Sequence, residues 1–185
     1  MSRQDGELPE EVMWAGDYIT AKRRGKWEYA GRPRGIRAAA ILANDEDGRL
    51  ILVSQYRVPL GRECLEIPAG LVGDGAGEEG EDATAAARRE LEEETGYRAD
   101  TMHVLGDFYS SPGMVSESFT LLRASGLTRT GPGGGTEGED ITVHHVDPAH
   151  LPQFVAAWRA KGNAVDVRIA MLMTAEFMKG TGHDG

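Results

Sequence analysis

The sequence lacks several features that would indicate a specialised environment. It contains a single cysteine, Cys64, among 185 residues, which excludes an internal disulfide framework and favours a reducing, cytoplasmic setting. No uninterrupted apolar run approaches the roughly 18 residues needed to cross a bilayer. The polar N-terminus also has no signal-peptide core. We therefore expect a cytoplasmic location and no membrane partner.

Basic residues are also scarce. Lys and Arg total 20 against 30 Asp and Glu, which gives a formal net charge of −10 and a pI near 5.0. A strongly acidic chain binds nucleic acid and anionic membranes poorly, because phosphate groups are bound through basic surfaces. No nucleic-acid partner is expected. Hydrophobic residues at 40% and charged residues at 27% are typical of one globular domain.

The acidity is concentrated in one short segment. Residues 78–94 contain eight carboxylates and two arginines, a net charge of −6 within 17 residues, whereas the rest of the chain is nearly balanced. Like charges this close together repel one another unless solvent or a bound cation offsets them. A function for this segment must therefore explain why the repulsion is tolerated.

The order of predicted elements indicates a layered α/β domain. Strands are predicted at about 37–43, 50–56, 65–67, 102–109, 118–124 and 141–146. Helices are predicted at about 82–95, 148–161 and 165–179. Two glycine-rich segments, residues 73–80 and 125–140, are predicted to be loops, the second of them mobile.

These elements are expected to form a single domain over residues 12–180, of the α/β (α+β layered) class. An N-terminal strand segment is expected at about residues 12–36. Residues 1–11 and 181–185 are expected to be disordered tails.

The helix predicted over residues 82–95 carries carboxylates at a regular spacing. At about 100° per residue, Glu90 and Glu94 lie one above the other on one flank of an apolar stripe. Arg89 and Glu93 form a second pair on the opposite flank. Two stacked carboxylates destabilise a helix by about 0.2–0.5 kcal/mol. Carboxylate oxygens are the ligands that Mg²⁺ or Mn²⁺ prefers, so a metal site explains the arrangement; a solvated acidic face is the alternative.

The spacing around this helix matches a known motif. The fixed positions of the 23-residue Nudix box are all occupied, by Gly75, Glu81, Arg89, Glu90, Leu91, Glu93, Glu94, Gly96 and Tyr97. Tyr97 is an aromatic residue where an aliphatic one is more usual. The chain thus resembles the Nudix hydrolases, a family that cleaves nucleoside diphosphates linked to another moiety. The resemblance implies a mixed β-sheet sandwiched between helices, an α/β/α arrangement.

The resemblance also implies how the box would act. Glu90 and Glu94 would be the main metal ligands, Glu93 would lie close by or act through Arg89, and Ala69 would add its backbone carbonyl. Two to three Mg²⁺ or Mn²⁺ ions per site are implied. Such ions neutralise a diphosphate, polarise the P–O bond and lower the pKa of an attacking water.

Segments outside the box resemble the ADP-ribose pyrophosphatase branch of the family. Residues 65–70 resemble the segment that leads into the box in that branch, and they include Glu66 as a substrate-binding candidate. Residues 111–117 resemble a loop whose last residue, here Glu117, serves as general base; an ordinary loop carboxylate is the alternative. The segment around Glu139 resembles the acidic end of a mobile loop, which makes this residue a second candidate for base or metal ligand.

Three more residues are candidates for contacting a substrate. Arg57 resembles an arginine at a strand end that could clamp a phosphate through two hydrogen bonds, with a surface ion pair as the alternative. Trp27 and Tyr29 could stack on a nucleobase or instead pack in a core or an interface. The resemblance further implies a homodimer whose interface is built by the N-terminal strands and the closing helices.

The resemblance therefore predicts a Mg²⁺-dependent pyrophosphohydrolase of nucleoside diphosphate sugars, with ADP-ribose cleaved to AMP and ribose 5-phosphate as the first candidate reaction. Alternatives within this class are another nucleotide sugar, such as GDP-mannose, or a dinucleoside polyphosphate. An alternative from another class is a non-catalytic sensor that binds ADP-ribose. The nucleobase and the sugar cannot be read from the sequence, because the shape of the pocket decides them.

Overall fold

The computed structural model of the chain describes residues 3–33, 36–73, 80–136 and 138–173. Within these ranges the secondary structure comprises eleven strands and three α-helices. The strands are β1 (Glu11–Ala15), β2 (Thr20–Arg24), β3 (Trp27–Gly31), β4 (Ala38–Leu42), β5 (Leu50–Arg57), β6 (Arg62–Glu66), β7 (Ala69–Leu71), β8 (Tyr97–Tyr109), β9 (Ser118–Arg129), β10 (Thr142–Val146) and β11 (Ala164–Val165). The helices are α1 (Ala83–Thr95), α2 (Leu151–Ala160) and α3 (Val167–Leu172).

Two four-stranded mixed sheets form the centre of the fold. One has the strand order β7-β4-β9-β8 and the other β10-β5-β6-β11. In the first sheet β4 runs parallel to β9, and in the second β11 runs parallel to β6. The remaining neighbours are antiparallel. The mixed sheet implied by the resemblance is therefore confirmed.

Strand β4 shows how the layers are arranged. Successive side chains of a strand point to opposite faces, and both faces of β4 are buried. On one face Ala39 and Ile41 belong to a cluster with Leu91 of helix α1. On the other, Ala40 and Leu42 belong to a cluster that includes residues of α2 and α3. Helices cover both faces of the sheets, which confirms the α/β/α arrangement.

Helix α1 has well-defined ends, as its sequence predicts. Its N-cap, Asp82, accepts hydrogen bonds from the N–H groups of Thr84 and Ala85 at 2.7 and 2.9 Å. These bonds lower the pKa of the Asp82 carboxyl. At the other end Gly96 adopts a left-handed conformation with φ of 73°, which glycine accommodates without strain. The capped ends fix the register in which Leu91 faces the core.

The N-terminal residues form a separate antiparallel sheet with the order β1-β2-β3. The three strands lie between residues 11 and 31. The preceding residues differ from the disordered tail expected over residues 1–11, because Arg3–Glu7 form a 3-10 helix. Glu10 also lies 2.9 Å from the ammonium group of Lys22. The ion pair between Glu10 and Lys22 therefore attaches this segment to the sheet.

The second glycine-rich segment is shorter as a loop than the sequence predicts. Strand β9 continues to Arg129, and the following glycines pass over the C-terminal end of α1. The N–H groups of Gly134 and Gly135 donate to two carbonyls in the last turn of that helix, at 2.8 and 3.0 Å. A Cβ on Gly133 would lie 2.5 Å from the helix backbone. These glycines therefore allow the loop backbone to pack closely against the helix. The prediction of a mobile loop did not consider this reason for a high glycine content.

The C-terminal part agrees with prediction in α2 and at the start of the last helix. Between them lies strand β11, which the sequence analysis did not predict and which pairs with β6. The predicted remainder of the last helix, beyond residue 173, and the tail at 181–185 lie outside the described residues. Over the described ranges, no helix combines the length and apolar character required to cross a membrane.

Candidate active site

A cavity of about 750 Å³ collects most of the charged residues that the sequence analysis singled out. It is lined by residues of both central sheets, of α1, of the loops that follow β8 and β9, and of the start of α3. The predicted site residues on its walls are Arg57, Glu66, Ala69, Glu90, Glu94, Glu117 and Glu139.

Glu94 is a buried carboxylate in this wall, with 5% of its surface exposed. Burial raises its pKa to about 8. A hydrogen bond from the Ala69 N–H, 3.0 Å from Oε2, opposes this shift, while the neighbouring charges of Glu90, Glu139 and Glu66 add to it. Desolvation and like charges both disfavour the ionised form. A cation placed among these groups would reverse that preference.

The position of Glu90 depends on a glycine. A Cβ at Gly70 would lie 1.8 Å from the Glu90 Cδ, so no larger residue fits there while Glu90 keeps its place. Arg89 Nη1 donates to Glu90 Oε1 at 2.7 Å. The short segment around Ala69 and Gly70 thus provides both a hydrogen bond to one carboxylate and space for the other.

Arg89 holds together the segments that surround these carboxylates. Its Nη1 lies 3.4 Å from Glu93 Oε2, and its Nη2 lies 3.3 Å from both Glu81 Oε2 and the Leu71 carbonyl. Glu93 is not among the described residues that line the cavity. The contacts join α1 to β7 and to the end of the preceding loop. Gly75, the first residue of the predicted motif, lies outside the described residues.

Arg57 is ion-paired with Glu66. Its Nε and Nη2 donate to the two carboxylate oxygens at 2.6 and 2.8 Å, and this pairing raises the pKa of Arg57. Nε and Nη2, the pair of donors expected to bind a phosphate through two hydrogen bonds, are therefore bound to Glu66. Nη1 makes no hydrogen bond with a described residue, and the Arg57 side chain is 41% exposed. This remaining end of the guanidinium is available in the cavity.

Two cavity residues, Asp166 and Arg168, were not singled out by the sequence analysis. Asp166 caps α3 by accepting from the Arg168 N–H at 2.7 Å. Its carboxylate also accepts from Nε and Nη2 of that arginine, at 2.7 and 3.1 Å. An aspartate before an apolar run is a helix-start signal that could have located the cap. The position of Asp166 and Arg168 in the cavity could not be predicted in this way, because it depends on the pairing of β11 with β6.

Glu117 lies beside another arginine that the sequence analysis missed. Arg32 Nε donates to Glu117 Oε1 at 2.6 Å, and both side chains line the cavity. The loop that carries Glu117 is attached to strand β3 at Ala30. The Ala30 N–H donates to the Met114 carbonyl and the Ala30 carbonyl accepts from the Ser116 N–H, each at 2.9 Å. The N-terminal sheet thus holds this loop beside the cavity.

Glu139 reaches the same cavity from the loop after β9. Its Oε2 accepts hydrogen bonds from the N–H and the hydroxyl of Thr136, each at 2.9 Å. Glu137, another acidic residue of the same predicted segment, lies outside the described residues. Glu117 and Glu139 therefore approach the cavity on two different loops.

Trp27 and Tyr29 lie elsewhere, in a second cavity of about 730 Å³ between the N-terminal sheet and the loop after β8. Trp27 is 38% exposed. The Tyr29 hydroxyl donates to Glu10 at 2.5 Å, which raises the pKa of Tyr29. The structure therefore does not bring these aromatic residues into the cavity of Glu90 and Glu94 within one chain.

The donor set of the first cavity suits a hard divalent cation. Glu90 and Glu94 supply carboxylate oxygens, and the cation would relieve the repulsion that raises the pKa of Glu94. Within the described ranges, no three His, Cys, Asp or Glu side chains are already grouped as they would be around an ion. Glu90 and Glu94 are the residues of this wall that could hold such a cation.

Comparison with known proteins agrees with the geometry. Residues 33–164 match the family model of the NUDIX domain. The chain is 39% identical over 143 residues to a methanol dehydrogenase activator of Bacillus methanolicus, an alignment covering 77% of this chain and 75% of that protein. It is 43% identical over 91 residues to an ADP-ribose pyrophosphatase of Bacillus subtilis, which covers 49% of this chain and 46% of that enzyme.

The chain therefore spans less than half the length of that pyrophosphatase in the alignment. A solved structure described as an ADP compounds hydrolase superposes with a TM-score of 0.71 at 24% sequence identity. The superposition covers 95% of this chain and 94% of that one. This likeness supports the fold.

Proposed function

Because the chain belongs to the NUDIX domain family, we propose that it is a metal-dependent pyrophosphohydrolase of nucleoside diphosphate sugars. ADP-ribose is the first candidate substrate, with AMP and ribose 5-phosphate as products. This proposal rests on the observation that Glu90, Glu94 and Arg57 line the same cavity. A metal-bound diphosphate needs this combination of anionic and cationic groups.

Glu90, Glu94 and the Ala69 carbonyl would hold Mg²⁺ or Mn²⁺, with Glu93 nearby, and the number of ions proposed is two to three. When bound, such ions neutralise the diphosphate and polarise its P–O bonds. The raised pKa of Glu94 supports this assignment, because the protein alone does not compensate that charge. Arg89 would act indirectly by keeping Glu90 and Glu93 in place.

Arg57 would bind a phosphate oxygen of the substrate through the end of its guanidinium that Glu66 leaves open. Glu66 itself is 3% exposed and is engaged on both oxygens. We therefore assign it to holding Arg57, in place of direct substrate contact. A charge-assisted hydrogen bond from a fixed guanidinium is well suited to an anionic phosphate.

Glu117 would accept a proton from the attacking water, with Glu139 as the second candidate. The ion pair with Arg32 supports Glu117, because it holds this carboxylate in place on the cavity wall. Its place on the cavity wall gives it access to the substrate.

A homodimer would bring the remaining candidates to the substrate. Strand β1 is an edge strand whose Val12, Met13 and Trp14 are between 53% and 60% exposed. An exposed apolar edge strand favours association with another chain. Trp27 and Tyr29 of one subunit would then stack on the nucleobase bound by its partner. The single cysteine supports a reducing, cytoplasmic location.

The test is hydrolysis of a panel that contains ADP-ribose, GDP-mannose and a dinucleoside polyphosphate, each with Mg²⁺. Products are treated with a phosphatase so that released phosphate reports cleavage. We expect ADP-ribose to give the highest rate and Glu94→Gln to lower that rate at least about a hundredfold, because it removes a charged metal ligand. Glu92→Gln, an exposed residue on the same helix, is the matched control and keeps wild-type activity.

Binding of ADP-ribose without release of AMP would instead identify a sensor. Faster cleavage of GDP-mannose would assign the enzyme to a different nucleotide sugar. Wild-type activity in Glu94→Gln would contradict the metal assignment.

A further inference from the structure

We infer that Arg168 is a positioning residue: it anchors Glu66, and through Glu66 it fixes the direction in which Arg57 presents its guanidinium to the substrate. The inference rests on the proposed function, in which Arg57 contacts a phosphate. Arg168 lies 111 positions after Arg57 in the sequence, and the C-terminal part of the fold brings it to the same cavity.

The backbone brings Arg168 to the cavity. Strand β11 pairs in parallel with β6, and immediately after it the Asp166 N–H donates to the Leu65 carbonyl at 2.9 Å. Helix α3 begins at the next residue, so Arg168 occupies its first turn. The residue after Leu65 is Glu66, the partner of Arg57. Strand pairing therefore places Arg168 alongside the ion pair.

The Arg168 side chain has little freedom to move. It is 14% exposed, and its Nε and Nη2 are bound by the Asp166 carboxylate. Its guanidinium carbon lies 5.6 Å from the centre of the Phe119 ring, a cation–π contact. A planar guanidinium held by a carboxylate on one edge and an aromatic ring on its face is a rigid anchor.

Glu66 is held between two cations. Its Oε2 accepts from Arg57 Nη2 at 2.8 Å and lies 3.4 Å from Arg168 Nη2, while Oε1 accepts from Arg57 Nε at 2.6 Å. A buried carboxylate is costly unless charged partners surround it. Because both guanidiniums contact Oε2, rotation of the carboxylate would break contacts with both of them.

The orientation of Glu66 determines the orientation of Arg57. Two parallel hydrogen bonds between a guanidinium and a carboxylate require the two groups to share a plane. Because Nε and Nη2 of Arg57 are hydrogen-bonded to Glu66, the plane of the Glu66 carboxylate sets the direction in which Nη1 points.

A double-mutant cycle tests whether Arg168 acts through Arg57. The four proteins are wild type, Arg168→Met, Arg57→Met and the double variant, each assayed for kcat and KM with the best substrate of the panel. We expect Arg57→Met to raise KM about tenfold or more, and Arg168→Met to raise it roughly three- to tenfold with a smaller change in kcat. In the Arg57→Met background, Arg168→Met should have no further effect.

Arg159→Met is the matched control, because it removes the same side chain from an exposed position on α2. Its KM should equal that of the wild type. If Arg168→Met does not fold, as judged by thermal denaturation, Arg168→Lys is measured in its place. Lysine keeps the charge but cannot make the paired Nε and Nη2 contacts of the guanidinium, so we expect KM to rise in that variant as well.

A readout without substrate separates this inference from the proposed function. The Arg57 Nε–H signal in a ¹⁵N NMR spectrum, assigned by its loss in Arg57→Met, should exchange slowly with water in the wild type. In Arg168→Met it should exchange at least several-fold faster, because the anchor of Glu66 is gone. An unchanged exchange rate, or effects on KM that multiply in the double variant, would overturn the inference. A wild-type protein that cleaves nothing in the panel would overturn the proposed function alone.

Discussion

Glu94 is the residue where the electrostatics of the cavity are most evident. Its carboxylate is buried near Glu90, Glu139 and Glu66, and among the described residues it accepts a backbone hydrogen bond from Ala69. The charged form is therefore unfavourable until a cation is present. In the proposed site a bound cation would restore free energy that folding of the metal-free chain loses, so metal binding and folding would be coupled at this residue.

This coupling predicts how stability depends on pH. In the metal-free fold the pKa of Glu94 rises from 4.5 to about 8. Between these values the folded state keeps a proton that the unfolded chain has released, so the free energy of unfolding falls as the pH rises through this window. The loss should be on the order of a few kcal/mol, and Glu94→Gln should remove it.

Thermal unfolding in EDTA at pH 5 and pH 8 measures this effect. The wild type and the Glu92→Gln control should lose more stability between the two pH values than Glu94→Gln does. At pH 8, Mg²⁺ should then stabilise the wild type but not Glu94→Gln. Equal pH profiles for all three proteins would show that Glu94 ionises normally in the fold.

At the scale of elements, the contact between α1 and the glycine-rich loop organises one side of the cavity. The loop satisfies carbonyl groups at the end of α1 and continues to Glu139, which lines the cavity. Two loop glycines differ sharply in their surroundings. Gly133 has a φ of 71° and no space for a Cβ, whereas Gly131 has nothing within 4 Å of the position that a Cβ would take.

Gly133→Ala should therefore destabilise the protein by roughly 1–3 kcal/mol, through backbone strain and overlap with α1. Gly131→Ala is the matched control and should change stability by less than about 0.5 kcal/mol. Urea unfolding at constant pH measures both. Equal effects of the two substitutions would mean that the loop does not pack on the helix.

The same two elements show what could be predicted from the sequence. The helix, its ends and the shared flank of Glu90 and Glu94 follow from residue spacing and capping, which are local properties. The packing of the loop on the helix does not follow from the sequence, because glycine permits both mobility and close packing, and only the neighbouring backbone distinguishes them. The contact between Arg168 and Glu66 joins residues 102 positions apart, and no local pattern encodes the pairing of β11 with β6.

At the scale of the whole molecule, the net charge of −10 separates into two parts. A charge of −6 lies in residues 78–94, and the remaining −4 is spread over the rest of the chain. The acidic segment contributes Glu90 and Glu94 to a cavity that also contains arginines. The charge that argues against nucleic-acid binding thus concentrates where the proposed metal ions and substrate would bind.

The proposed dimer gives a prediction at this scale. Val12→Glu places a charge on the exposed edge strand β1, where Val12 is 59% exposed, and should convert a dimer into monomers at micromolar concentration. Activity per subunit should fall as well, because the partner's aromatic residues would be missing. Light scattering coupled to gel filtration measures the mass. Val104→Glu, at a site that is 51% exposed on β8, is the control and should remain dimeric.

A monomeric wild type, or a fully active monomer of Val12→Glu, would contradict the proposed dimer.

The attachment of the Glu117 loop to strand β3 uses main-chain groups of Ala30, Met114 and Ser116. Main-chain hydrogen bonds do not depend on side-chain identity, so substitutions in the N-terminal sheet can change the surface offered to a nucleobase without displacing Glu117. Insertions or deletions act differently, because adding one residue within β3 or within the loop at residues 111–117 would shift the register of these hydrogen bonds. In the proposed site, substitutions in these two segments are therefore better tolerated than changes in the length of either one.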